Sequence, residues 1–155
     1  MKKLISLLLL MSYSVIADDN EIYVDQVGAT ANIDLEQLGS GNIIGGLNSA
    51  HGSMTPFDLD GTTMTLDVNQ IGNNNKMLGD ITSDTFTGVF DFDGDTNSYT
   101  IQVDPTNTYG ADNSNVNVDV DGNTNTFSLD LATNALASGA DIDTIVQGDS
   151  NTVNI

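Results

Sequence analysis

Carboxylates in D-x-D pairs are the residues of this 155-residue chain best suited to chemistry: Asp58 with Asp60, Asp91 with Asp93, and Asp119 with Asp121. Oxygen donors at that spacing, stacked from one strand to the next, could recruit calcium, a hard cation. The dedicated calcium loops are missing from the sequence, since neither G-G-x-G-x-D nor D-x-[DN]-x-[DN]-G-x5-E occurs. The expectation is therefore no cofactor and no specific metal site, with calcium at most loosely held on an acidic face. There is one histidine, His51, and no cysteine, so the usual nucleophile and base pairs cannot be assembled. His51 reads as a solvated turn residue and the chain as a non-enzyme. The acidic pairs recur along the chain, and a recurring pair marks a face rather than a site.

The first 17 residues stand apart from the rest. Lys2 and Lys3 precede a mostly apolar run over 4–11, and Val15, Ile16 and Ala17 have the small or aliphatic character that a signal peptidase reads. The run falls short of the roughly 18 apolar residues a membrane span requires. Residues 1–17 are accordingly expected to be a secretory signal peptide, leaving 18–155 as one secreted repeat domain with no membrane insertion. That portion keeps all 22 acidic residues and, of the three basic ones, only Lys76, a formal charge of −21. Nothing in it can neutralise phosphates, which argues against nucleic acid and anionic membrane as partners. Without cysteine no disulfide can hold it, and with few bulky apolar residues a conventional core is hard to build, so only internal order separates it from a disordered chain.

Such order is present. Counting by eleven from Gly28 reaches Gly39, Ala50, Gly61, Gly72, Ser83, Gly94 and Pro105, all turn or small residues. The grid then slips by six residues to Gly122 and Thr133, and by four to Gly148. Gly39, Gly72, Gly94, Gly122 and Gly148 are each followed three residues later by asparagine, at Asn42, Asn75, Asn97, Asn125 and Asn151. Between the turns residues alternate: Met64, Leu66, Val68 and Gln70 against Thr65, Asp67 and Asn69, and Phe127, Leu129 and Leu131 against Thr126, Ser128 and Asp130. Period two is the strand signal, and no helical period is sustained.

Strands of about seven residues joined by short arches wind into a coil. The expected fold is all-β, a two-strands-per-turn β-solenoid of about six 22-residue rungs: 22–26 with 31–37, 42–48 with 53–59, 64–70 with 75–81, 86–92 with 97–103, 115–120 with 125–131, and 142–146 with 151–155. Pro56 removes a ladder donor, so the second rung is expected to be broken or to lie at an edge. Insertions near 106–111 and 134–140 are expected to bulge from one edge. Stacking makes columns, one reading Ala31, Ser53, Asn75, Asn97, Asn125, Asn151 and another Gln26, Asn48, Gln70, Phe92, Val120, Val146. Side-chain amides in such columns, with Gln37 and Asn42 among them, would bond to the amides above and below. The register places the aspartates outside.

These residues resemble the repeat of the curlins, the subunits of curli fibres, Q-x-G-x-x-N-x-A-x-V-x-Q over about 22 positions. Gln26, Gly28, Ala31, Ile33, Leu35 and Gln37 match its spacing, with Ala31 in place of asparagine and with Ile33 and Leu35 in the alanine and valine places. Gln37, Gly39 and Asn42, then Gln70, Gly72 and Asn75, continue it. From Gly94 onward the glutamine becomes Phe92, Val120 or Val146, and only the glycine and asparagine persist. The resemblance implies an extracellular functional amyloid: a subunit passed through an outer-membrane secretion pore, started by a nucleator subunit, and self-associated into adhesive fibres of the biofilm matrix. The run 153–155 stands in mid-strand with no proline or helix after it, an edge suited to templating another copy. The other readings are a monomeric calcium-binding, ice-binding or adhesive solenoid. For ice, Thr63 and Thr65 would stack on Thr85 and Thr87, an array of two rungs.

Overall fold

The computed structural model describes residues 20–47, 54–95, 97–106, 108, 110–132 and 137–155. The expected signal peptide, Asn48, Ala50, His51, Ser53 and Thr133 lie outside them. Every element described is a strand: β1 (Asp25–Val27), β2 (Thr30–Leu38), β3 (Gly46–Leu47), β4 (Met54–Thr55), β5 (Phe57–Ile71), β6 (Lys76–Asp93), β7 (Ser98–Val103), β8 (Asn115–Asp121), β9 (Thr126–Leu131), β10 (Asp141–Gln147) and β11 (Thr152–Asn154). Apart from the two-residue antiparallel pair of β3 with β4, all pairing is parallel and joins strands distant in sequence. That is the mark of a coil, in which each strand lies on its counterpart one turn earlier.

Two runs of strands make up the coil. In the front run Gln37 of β2 lies on Gln70 of β5, Gln70 on Phe92 of β6, Phe92 on Val120 of β8, and Val120 on Val146 of β10. In the back run Gln26 of β1 lies on Leu59 of β5, Leu59 on Ile81 of β6, Ile81 on Val103 of β7, and Val103 on Leu131 of β9, with β11 beneath β9. Inward residues of the two runs meet in one core. Phe92 of the front run stacks on Tyr99 of the back run with ring centroids 3.8 Å apart and planes 6° apart. Large rings sit beside glycines: a methyl added at Gly79 would run into the Phe57 ring, and one at Gly88 would come within 2.6 Å of Phe90. The narrow interior is thus filled by matching a ring to a hole. Alternation holds throughout β8, where Val116, Val118 and Val120 are buried and Asn115, Asn117 and Asp121 exposed.

The turns join the runs at two different corners. At one, a four-residue G-x-x-N arch leads from the front run to the back. At the other, β5 and β6 bend without interruption near Gly61 and Ser83, and the Gly28 N–H donates to the Asp60 carbonyl at 2.9 Å. The eleven-residue grid is therefore two corners alternating. At the second corner the described residues beside the two expected insertions touch, since the Asn113 N–H donates to the Ser138 carbonyl at 2.8 Å and the Ser138 N–H to Asp112 Oδ1 at 2.7 Å.

The coil makes about four turns between the first G-x-x-N arch and the last, in place of six regular rungs. The difference lies at the expected second rung. Asn42 belongs to an arch, the Ile44 N–H donates to the Lys76 carbonyl at 3.2 Å, and residues 57–60 lie on 79–82. Residues 42–44 and 57–60 thus form one back-run level, which the chain leaves after Ile44 and rejoins at Phe57. Gly45 with Gly46 at one side and the donor-less Pro56 at the other punctuate the strand where it parts. As a result β2 lies on β5 across 33 residues, where later neighbours are 22, 26 or 28 apart.

Candidate functional site

The asparagine corner is built by the arches. Gly122 and Gly148 hold φ of 129° and 106°, a region L-residues avoid, and a methyl on either would strike the carbonyl of the glycine one turn before it. With the arches this close, each asparagine reaches its neighbours' backbone. Asn125 Nδ2 donates to the Gly94 carbonyl at 2.7 Å, and its Oδ1 accepts the Asn97 N–H at 2.8 Å. Asn151 repeats both contacts one level on, donating to the Gly122 carbonyl at 2.7 Å and accepting the Asn125 N–H at 2.7 Å. Asn75 Nδ2 donates to the Gln70 carbonyl at 2.8 Å, and Asn42 makes the longer equivalent to Gln37 at 3.5 Å. The column runs through Asn42, Asn75, Asn97, Asn125 and Asn151, and it is an amide-to-backbone ladder rather than the side-chain chain expected.

Ala31 belongs elsewhere, lying on Met64 in the front run. The head of the column is Asn20, which the sequence reading left out. The Ile22 N–H donates to the Ile43 carbonyl at 3.2 Å, setting Ile22 over Ile44 and Asn20 over Asn42. Asn20 Nδ2 donates to the Leu38 carbonyl at 3.1 Å.

Among the glutamines, Gln37 and Gln70 do form a side-chain pair, with Gln70 Nε2 donating to Gln37 Oε1 at 2.7 Å and Gln37 Nε2 to the Ile43 carbonyl at 2.9 Å. Both are buried. Gln26 is not in their column, since it lies over Leu59 in the back run and donates to the Val27 carbonyl. Gly39, Gly72, Gly94, Gly122 and Gly148 line the asparagine corner, and Gly28 and Gly61 stack at the other, where a methyl on Gly61 would meet the Gly28 carbonyl.

A second ladder runs along the outside of the arches. The Asn123 N–H donates to Asp95 Oδ1 at 2.6 Å, and the Asp149 N–H to Asn123 Oδ1 at 2.8 Å. Its signal was in the sequence: the residue after each arch glycine is Ser40, Asn73, Asp95, Asn123 or Asp149, in every case one with a side-chain oxygen.

Outward, acids stack in register. Asp25, Asp58 and Asp80 form one column, Asp91 lies on Asp119, and Asp93 on Asp121. Burial, then the neighbouring carboxylates, push the Asp58, Asp80 and Asp91 carboxyls above the usual value. Asp58, Asp60 and Asp80 line a cavity of about 740 Å³ at the insertion corner, together with Thr62, Thr82, Thr106 and Thr108. Among the described residues no group of three or more histidines or acids is placed to hold a metal. The threonine array is taller than expected: Thr30, Thr63 and Thr85 form one column, and Asn32, Thr65, Thr87 and Asn115 the next.

Among the described residues both ends of the coil are open. Among the described residues β1 and β2 pair only with β5, β10 only with β8, and β11 only with β9. The inward Ile33, Leu35, Ile142 and Val146 on these strands are only half-buried. Comparison with protein-family models, with curated proteins and with solved structures finds no match to this chain.

Proposed function

We propose that this chain is an exported structural subunit that associates end to end into curli-like extracellular fibres, serving adhesion and the biofilm matrix. The observation that carries the reading is the pair of open parallel edges on which in-register columns stop. β2 presents one and β10 the other, and unpaired N–H and C=O groups over a half-covered apolar row are a template for a further copy. The likeness of Gln26, Gly28, Gln37, Gly39 and Asn42 to the curlin repeat supports it, as does the signal-like stretch at 1–17. An outer-membrane secretion pore and a nucleator subunit are the candidate partners of that reading. The test is to incubate residues 18–155 and record electron micrographs, dye binding and fibre diffraction. Fibres with a meridional spacing of about 4.7–4.8 Å are expected. A chain that remains monomeric at high concentration would overturn the reading.

The three-level threonine and asparagine array favours a second reading, an ice-binding or adhesive face on a monomer. Thermal hysteresis in a monomeric sample is its expected sign. The columns stop at Asp141, which lies on Asn115.

A further inference from the structure

We infer that β11 is a removable plug, holding the place that residues 20–24 of a second copy occupy when two copies join; this rests on the fibre reading above. The two segments carry the same inward pattern, Asn20, Ile22, Val24 against Asn151, Val153, Ile155. They reach the same corner at opposite faces of the coil. Asn20 heads the asparagine column above Asn42, and Asn151 closes it below Asn125, whose N–H its Oδ1 accepts.

Joining two coils requires both runs to continue. In the front run this means β2 of the incoming copy beneath β10, with the glycine corner setting Gln147 opposite Leu38 and Val146 opposite Gln37. Each turn is a back-run segment followed by a front-run strand, as in 20–27 leading into β2. An incoming copy seated so therefore brings its residues 20–27 directly beneath β9, where β11 already lies. The alternative keeps β11 and lowers the incoming copy by one level, which leaves a strand-wide gap between β10 and the new β2 and strips both of ladder bonds. The exchange is unequal: β10 and β2 offer seven and nine residues of ladder, while β11 has three, all exposed. Joining expels β11.

The test pins β11 in place. Thr126 and Thr152 are exposed register partners, and the chain has no cysteine of its own, so Thr126→Cys with Thr152→Cys gives a single internal disulfide. Oxidation is expected to slow fibre elongation at least tenfold relative to the same protein reduced, and reductant to restore it. A variant stopping after Ser150 is expected to elongate faster than the parent. Equal rates for the oxidised and reduced forms, or slower growth of the shortened chain, would overturn the plug while leaving the fibre reading intact. Failure of the unaltered chain to form fibres would overturn both.

Discussion

Asn125 is held on two sides, its amide nitrogen by the Gly94 carbonyl and its oxygen by the Asn97 N–H. Asn125→Asp would keep the acceptor and turn the donor into a second oxygen against a carbonyl, in a site 1% exposed. A loss of about 3 kcal/mol or more is expected from the urea midpoint at neutral pH. Asn117→Asp, on the exposed face of β8, should cost under about 1 kcal/mol despite lying opposite Asp143. Equal losses would refute the facing of β8 and the arch. The stacked acids make a prediction of opposite sense. Asp58, Asp80 and Asp91 have carboxyl pKa values raised in the fold, so the folded state binds their protons more tightly than the unfolded chain. Their contribution is fully present below the ordinary value of 3.8 and is lost as pH rises through the raised values. The melting temperature should rise as pH falls from 7 towards the carboxylate range. Asp80→Asn should flatten that rise.

Among the elements, the arches can be separated into conformation and contact. Gly39 has φ of 93° with nothing within 4 Å of an added methyl, whereas at Gly122 the methyl would strike the Gly94 carbonyl. Gly39→Ala should cost about 1 kcal/mol of backbone strain, and Gly122→Ala should exceed it by about 1–3 kcal/mol. Thermal unfolding of the two variants measures the difference, and a larger loss at Gly39 would contradict the stacking of the arches. The strands and this corner were legible in the sequence because period two and a recurring G-x-x-N are local signals. Asn20 was not, since a count of 22 back from Asn75 reaches Ser53 and then Ala31 and so passes by both Asn42 and Asn20. The outer ladder was missed because serine, asparagine and aspartate look unlike until their shared acceptor oxygen is considered.

At the scale of the molecule, the departure from six rungs has a simple origin. The step of 33 residues from β2 to β5 exceeds a turn of 22 by eleven, half a period, so Gly39, Ala50 and Gly61 stay on the grid although the step is longer than one turn. A period search cannot detect an insertion equal to its own step. Register could have revealed it, because β2 then changes from the run of 53–59 to that of 64–70. The charge was fully legible, and in the proposed fibre it acts against association. With −21 on each copy over 18–155, repulsion is strong where the screening length is about 30 Å, at 0.01 M salt, and weak where it is about 3 Å, at 1 M. Fibre elongation followed by dye fluorescence should accelerate across that range of sodium chloride. Rates independent of salt would remove charge as the brake.

The face-to-face rings of Phe92 and Tyr99 have an optical consequence. The chain contains no tryptophan, so its near-ultraviolet signal comes from tyrosine. Tyr23 is half exposed, while Tyr99 is buried, its phenol pushed well above the ordinary value of 10.0 by burial and partly drawn back by the Asn97 side chain. In an alkaline titration Tyr99 should form tyrosinate only when the two runs part. The coil thus carries its own chromophore at its centre, and the late ionisation of Tyr99, lost in a Tyr99→Phe variant, reads out its opening without any added label.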